Sequence, residues 1–154
     1  MKAKLTWMHL GLTLLLMALV STACSSPNAA AQEDGQSTVA ADAATVEFKL
    51  VTTVSDGHLA FVGSGGDIDG VINPDLVVTT GDVVRVVLEN GDGMGHDVLF
   101  PDFAASTPAV MGLGDTAEVV FEIKSGMVGS YAYFCTFPGH RQAGQEGRLV
   151  ISAP

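Results

Sequence analysis

Cysteines and basic residues are scarce in this sequence of 154 residues. Its two cysteines are Cys24 and Cys135, and its seven lysines and arginines stand against 17 aspartates and glutamates. This excess of acidic residues argues against binding to nucleic acid and against direct adhesion to anionic lipid. It suits solubility, and it equally suits docking to a partner protein that carries a basic patch.

Several other patterns are missing. The sequence has no internal repeat, no convincing helical period, no glycine-rich phosphate loop and no specific Ser-His-Asp arrangement. Nucleotide-binding and serine-hydrolase functions are therefore not indicated. Histidine is also rare, because only His58, His96 and His140 follow the first 23 residues. His58 has no partner motif, and we expect it to be an ordinary residue at a strand edge.

The first 23 residues resemble a signal peptide. Lys2 and Lys4 precede an apolar segment, residues 10–20, that is too short to span a bilayer comfortably. Residues 20–24, Val-Ser-Thr-Ala-Cys, resemble a bacterial lipobox, in which Cys24 becomes the lipidated first residue of the mature protein. We therefore expect export to the bacterial cell envelope, with a lipid anchor on a membrane that faces the periplasm or the outside. Simple secretion after cleavage near Ala23 is the alternative.

Two further regions follow the signal peptide. Residues 24–44 contain almost no large apolar side chains, and this composition predicts a flexible linker between the lipid anchor and a folded domain. Residues 45–154 have the length of one domain. Cys135 is the only cysteine of that domain, so no disulfide can form within it. An unpaired cysteine in an exported protein is expected to be buried or held by a metal.

The pattern of residues 45–154 predicts an all-β domain. Short runs of alternating or β-branched residues are separated by Gly, Pro, Asn and Asp, with no crossover helices between them. This predicts an antiparallel Greek-key β-sandwich of about eight strands, with a loop over residues 102–115. The predicted strands are Thr45–Val51, His58–Val62, Leu76–Thr79, Val83–Glu89, Asp97–Phe100, Ala117–Lys124, Ser130–Cys135 and Gly147–Ser152.

Metal-binding side chains are concentrated in two segments of this domain. An aromatic-rich strand ends at Cys135, and the loop that follows carries His140 and then Gln145. The second segment is the glycine-rich turn that carries His96. Two imidazoles, one thiolate and a weak axial donor form the ligand set of blue-copper electron-transfer sites. Zinc could use the same ligands, but the paired spacing of structural zinc sites is missing.

The two segments are similar to those of a known family. Cys-Thr-Phe-Pro-Gly-His, residues 135–140, resembles the copper loop of auracyanin- and azurin-like cupredoxins, and Met-Gly-His, residues 94–96, resembles their first ligand turn. Residues 58–151 also resemble the cupredoxin domains that occur alone or fused to copper nitrite reductases. The resemblance implies one type 1 copper ion, with His96, Cys135 and His140 as equatorial ligands. It further implies an axial contact from the Gly95 carbonyl.

The sequence departs from the commonest family pattern at two positions. Gln145 stands where most members have an axial Met, and glutamine is the axial ligand in the stellacyanin-like branch. Because an amide oxygen favours Cu(II), we expect a lower reduction potential than in a Met-ligated relative. Asp97 stands where azurin-like proteins have an Asn that ties the two ligand loops together. An acidic residue keeps this link only if hydrogen-bond donors face it.

The resemblance also implies a route for the electron. The edge of His140 is the expected exit, within a docking surface formed by Pro138, Gly139 and Ala143. Arg141 is the one charged residue beside it, and we expect it to steer a redox partner. Met94, Met111 and Met127 either add apolar surface near the copper or pack in the core; the sequence leaves both open.

Electron transfer is the function that this pattern favours. A self-contained copper enzyme needs more histidines than the chain offers, so we do not expect an enzyme. Copper delivery is an alternative, but the exposed Met- and His-rich clusters of such carriers are missing. A role as accessory electron-donor module of a copper enzyme such as nitrite reductase is a further alternative.

Overall fold

The computed structural model describes residues 46–154, which form nine strands and two short 3-10 helices. The predicted signal peptide, lipidated Cys24 and linker lie outside the described residues. The strands are β1 (Val46–Ser55), β2 (His58–Gly63), β3 (Asp75–Thr79), β4 (Val83–Glu89), β5 (Leu99–Phe100), β6 (Ala105–Ser106), β7 (Thr116–Glu122), β8 (Gly129–Phe134) and β9 (Glu146–Ser152). The 3-10 helices are Gly66–Ile68 and Pro101–Phe103. Among residues 46–154, no helix is long and apolar enough to cross a membrane.

The strands form two sheets that enclose one core, so the predicted β-sandwich is confirmed. One sheet has the strand order β2-β1-β4-β7, and the other has the order β3-β9-β8-β5-β6. Strand β4 shows why these residues form a half-buried strand. Val84, Val86 and Leu88 are fully buried, whereas Arg85 alternates with them and lies on the outer face.

The sheets are mixed rather than wholly antiparallel. Strand β1 is parallel to β4, with Val46 opposite Val84, and β3 is parallel to β9, with Asp75 opposite Arg148. The other pairings between described strands are antiparallel. Parallel partners need long connections, and both of these pairs join segments that lie far apart in the chain. Strand β6 is the one strand that the sequence did not predict. It lies in the segment 102–115, which was expected to be a loop, and it is only two residues long.

Aromatic rings fill the space between the sheets. The ring of Tyr133 lies 5.6 Å from that of Phe61 and 5.4 Å from that of Phe100, and Phe100 lies 4.9 Å from Phe121. The buried Tyr133 hydroxyl donates a hydrogen bond to the carbonyl of Pro74 at 2.8 Å. This satisfies the one polar group on the ring, so the aromatic strand that leads to Cys135 is fixed in the core.

Candidate metal centre

Three of the predicted ligands meet at one end of the sandwich. The Sγ atom of Cys135 lies 3.5 Å from Nδ1 of His140 and 4.0 Å from Nδ1 of His96. The two Nδ1 atoms are 3.3 Å apart. These three residues form a group that can hold a metal ion. They come from the connection between β4 and β5 and from the connection between β8 and β9.

The spacing of these atoms fits a transition metal. Bonds of about 2.0 Å to nitrogen and about 2.3 Å to sulfur place trigonal ligand atoms about 3.5 Å apart. The observed separations of 3.3, 3.5 and 4.0 Å lie around that value. One thiol and two imidazoles form the donor set of a type 1 copper site, because sulfur suits Cu(I) and imidazole accepts both oxidation states.

The loop that carries His96 is fixed from several directions. The Asn90 side chain is fully buried, donates to the carbonyl of Met94, and accepts the N–H of Gly93 at 2.7 Å. The backbone of His96 exchanges two hydrogen bonds with Val110, at 3.0 and 2.8 Å. The His96 ring has no exposed surface, and its Nε2 lies 2.9 Å from Oδ1 of Asp92.

Glycine is needed in this loop because neighbouring chain comes close. A Cβ at Gly91 would lie 2.4 Å from the carbonyl oxygen of Thr52 on β1, so a larger residue would push the loop away from the sheet. The Gly91 N–H donates to Oγ1 of the same threonine at 3.1 Å. The position of His96 therefore depends on the first sheet as well as on its own turn.

The loop from Cys135 to Gln145 closes on itself. The Cys135 N–H donates to the carbonyl of Gln145 at 3.2 Å, and the Gln145 N–H donates to the carbonyl of His140 at 3.1 Å. Gly139 and Gly144 have φ values of 84° and 105°, which side chains rarely adopt. The loop thus returns to the start of β9 with Cys135, His140 and Gln145 facing one point.

Gln145 reaches the same group of side chains. Its side chain has no exposed surface, and Oε1 lies 3.0 Å from Nδ1 of His96. Its Nε2 is buried without a hydrogen-bond partner among the described residues. The amide thus turns its oxygen toward the other candidate ligand atoms and leaves its N–H groups without partners. This orientation is the one expected if the oxygen binds a cation. Ligation by Gln145 and by the Gly95 carbonyl stays a prediction.

Asp97 connects the two ligand loops, as the sequence required of it. The Thr136 N–H donates to Oδ1 of Asp97 at 2.6 Å, and the Thr136 hydroxyl donates to Oδ2. Both donors belong to the residue directly after Cys135. An acidic residue therefore keeps the link for which azurin-like proteins use an amide, because each of its oxygens faces a donor.

The environment of Cys135 disfavours a free thiolate. Burial raises the pKa of the Cys135 thiol, and hydrogen bonds from the backbone of Asp97 and Phe137 lower it to a smaller extent. Burial penalises an unpaired negative charge, whereas a coordinated metal deprotonates a thiol outright. A thiolate at this position therefore depends on a cation among the three ligand atoms.

The exposed end of the site lies around His140. His140 is half-buried, and Pro138 and Gly139 beside it are exposed, whereas Ala143 is half-buried. The Phe137 ring packs on Gly95 so closely that a Cβ there would lie 2.4 Å from it, and this contact requires glycine at 95. Among the predicted docking residues, Pro138, Gly139 and Arg141 are exposed, whereas His140 and Ala143 are half-buried.

Arg141 is paired with a carboxylate, and its steering of a redox partner stays a prediction. Its Nε lies 2.5 Å from Oε2 of Glu146, and its guanidinium lies 3.8 Å from the centroid of the Phe134 ring. The hydrogen bond from Arg141 also lowers the pKa of Glu146. Because the positive charge is paired with a carboxylate, its field at a distance is largely cancelled.

Sequence patterns missed Leu113, Asn90 and Asp92 at this end of the molecule. Leu113 is 74% exposed, and Met111 and Met94, which the sequence left between surface and core, are 62% and 38% exposed. Asn90 and Asp92 were seen only as turn residues, yet they hold the His96 loop. The Asn-Gly-Asp-Gly sequence signals a turn, but nothing in it shows that Asp92 contacts His96 or that Asn90 binds the backbone of the same loop.

Comparison with known proteins gives one similar sequence and many similar structures. No family model matches the chain. Over 88 residues the chain is 33% identical to auracyanin-B of Chloroflexus aurantiacus, a match that takes in 54% of this chain and 37% of that protein. The match therefore spans little more than a third of the length of this curated relative.

The solved structures extend the likeness over the whole sandwich. A structure of auracyanin B has a TM-score of 0.52 at 19% identity and covers 71% of this chain and 90% of its own. The multicopper oxidase McoA of Aquifex aeolicus has a TM-score of 0.54 at 19% identity and covers 70% of this chain but 26% of its own. At these identities the likeness concerns the fold.

Proposed function

This chain is a cupredoxin by fold, and we propose that it binds one copper ion through His96, Cys135 and His140 and carries single electrons between redox partners outside the cytoplasm. The observation that supports this most directly is the convergence of one thiol and two imidazole nitrogens within 4.0 Å. A bound type 1 copper ion would supply one-electron redox chemistry at this point. The protein then has to keep its ligands still while the charge changes.

The fold meets that requirement by holding both loops with hydrogen bonds within the protein. The backbone of His96 is hydrogen-bonded to Val110, and Thr136 beside Cys135 is hydrogen-bonded to Asp97. Ligands held in this way would need little rearrangement between oxidation states. The half-buried Phe137 ring covers Gly95 and packs near His140, with ring centroids 5.7 Å apart, and so limits the access of water from that side.

Electrons would enter and leave through His140. Its ring is half-buried and is flanked by the exposed Pro138 and Gly139, whereas the His96 ring is sealed inside. Exposed Met111 and Leu113 add apolar surface on the loop that continues from Val110, the residue bonded to His96. A small apolar surface of this kind suits brief docking, and the acidic remainder of the molecule suits a partner with a basic patch.

We place this function in the bacterial cell envelope. The proposal rests on the signal-like residues 1–23, the lipobox-like Cys24 and the polar residues 24–44, which together would give a lipid-anchored domain on a flexible tether. A tethered domain could reach partners at the same membrane surface without diffusing away. No span through the membrane is part of this proposal.

Electron transfer accounts for the site better than catalysis or copper delivery does. A multicopper enzyme needs further metal centres, and His96, Cys135 and His140 are the one group of this kind in residues 46–154. Rapid release of copper would need an open site, but His96 and Gln145 have no exposed surface. A role as the electron-donor module of a copper enzyme remains compatible with the proposal, because it uses the same site.

A visible spectrum tests the proposal. We expect the purified chain with one equivalent of Cu(II) to develop an intense thiolate-to-copper absorption, and the Cys135→Ser variant to lose it. Fast electron self-exchange would support a carrier, whereas ready loss of copper to a chelator would support delivery. A folded wild-type chain without the absorption would contradict the proposal.

A further inference from the structure

The buried imidazole of the metal centre faces a carboxylate on its far side. Nε2 of His96 lies 2.9 Å from Oδ1 of Asp92, and the same oxygen accepts the N–H of Met94 at 2.9 Å. The side chain of Asp92 is 10% exposed, and its Oδ2 is buried without a hydrogen-bond partner among the described residues. The ligand His96 therefore contacts an acidic group that sequence analysis did not assign to the site.

This placement of a carboxylate is costly unless a positive group compensates it. A buried carboxylate loses hydration, and one oxygen here gains no hydrogen bond in return. The Asp92 carboxylate contacts the Met94 N–H and His96, and it contacts no lysine or arginine among the described residues. A cation held by His96, Cys135 and His140 would lie on the other side of the same ring.

The contact also decides which nitrogen of His96 can bind a metal. A carboxylate oxygen accepts a hydrogen bond, so the Nε2 that faces it carries the N–H and Nδ1 keeps its lone pair. Nδ1 is the atom that faces Cys135 and His140. Metal-ligating histidines commonly have such a partner on the second nitrogen, and the partner makes the ring a stronger donor.

We propose that Asp92 is a positioning and tuning residue, whose carboxylate fixes His96 with Nδ1 free for copper and whose charge favours Cu(II) over Cu(I). This inference rests on the proposed function. With Cu(II), the thiolate and the Asp92 carboxylate balance the metal charge, whereas Cu(I) leaves one uncompensated negative charge in the protein interior. Asp92 therefore lowers the reduction potential, in the same direction as the oxygen of Gln145.

The rival explanation is that Asp92 only shapes the turn through its bond to the Met94 N–H. Asp92→Asn distinguishes the effect of the charge from the effect on the turn, because the amide oxygen can still accept both hydrogen bonds while the charge is lost. Asp92→Ala removes both contributions. Asp115→Asn is the matched control, since Asp115 is an exposed aspartate that accepts the Gly112 N–H at 2.7 Å in a neighbouring turn and has no contact with a ligand.

The test compares Cu(II) and Cu(I) dissociation constants of the full chain and the three variants, by competition with chelators. We expect Asp92→Asn to weaken Cu(II) binding about 10- to 100-fold and Cu(I) binding less. A tenfold increase in the ratio of the Cu(II) to the Cu(I) dissociation constant raises the reduction potential by about 59 mV. Asp92→Ala should shift the ratio at least as much, and Asp115→Asn should leave it within about twofold.

Proton NMR of the diamagnetic Cu(I) form gives a second readout. We expect a slowly exchanging, downfield Nε2–H signal from His96 that Asp92→Ala abolishes. An unchanged ratio in Asp92→Asn, while the thiolate absorption is retained, would overturn the inference and leave the proposed function standing. Absence of that absorption from the wild-type chain would instead overturn both.

Discussion

The two loops that carry the imidazoles differ in how far they bury the ring. The loop before β5 buries His96 completely and places hydrogen-bond partners or ligand atoms at both ring nitrogens. The loop before β9 leaves His140 half-buried beside exposed Pro138 and Gly139. In the proposed carrier, the ligand kept from solvent would set the preference between oxidation states, and the ligand near the surface would pass the electrons.

The largest expected effect comes from removing each imidazole in turn. In His140→Gly, the lost ring leaves an opening to solvent, so added imidazole should enter and restore most of the thiolate-to-copper absorption. In His96→Gly, the cavity is sealed, and the same addition should restore little. Absorption spectra with and without imidazole measure this difference. Equal recovery in both variants would contradict the contrast between the loops.

Anchoring asparagines allow a comparison of stability. Asn90 is fully buried and holds the His96 loop, whereas Asn73 is half-buried and donates to the Gly144 carbonyl at 2.8 Å in the other loop. We expect Asn90→Ala to lower the free energy of unfolding by about 3 kcal/mol, because several buried backbone groups lose partners. Asn73→Ala should cost about 1.5 kcal/mol.

Urea unfolding of the metal-free chain measures both values. The order is what matters for the comparison of the loops, because it reflects how much of each loop is buried. A larger loss for Asn73→Ala than for Asn90→Ala would mean that the His140 loop is the more firmly held of the two.

Gln145 lies in the loop before β9, together with His140, but its side chain contacts the ring of His96 from the loop before β5. Replacing its amide oxygen with a thioether removes a donor that favours Cu(II). We expect Gln145→Met to raise the reduction potential, by about 59 mV for each tenfold change in the ratio of affinities. Redox titration measures this shift. An unchanged potential would rule out Gln145 as the axial ligand.

The smallest effect is expected at Arg141. Because Glu146 pairs with its guanidinium, Arg141→Ala should change the association rate with a redox partner by about twofold or less at moderate salt. Stopped-flow kinetics at several salt concentrations checks this, with Lys124→Ala as a control for loss of one exposed charge. A large, salt-dependent fall in the Arg141 variant alone would restore the steering role that its ion pair argues against.

Much of the fold was accessible from the sequence. The period of two in β4 predicted which side chains face the core, and the eight expected strand segments all appear in the structure. The parallel pairing of β1 with β4 could not be predicted, because alternation shows which face of a strand is buried but not which strand lies beside it. The ion pair between Arg141 and Glu146 was not predicted for a related reason. The two residues meet across a loop whose course only the folded chain defines.

The sequence by itself determined the chemistry available to this protein: one cysteine in the domain, few histidines, and a loop in which Cys135, His140 and Gln145 follow one another. Only the tertiary structure decided how that chemistry is arranged. It buried His96 against Asp92, left His140 near the surface, and tied the two loops through Asp97 and Thr136. Local spacing fixes which donors can meet, whereas burial and charge at the meeting point depend on residues about 40 positions away in the chain.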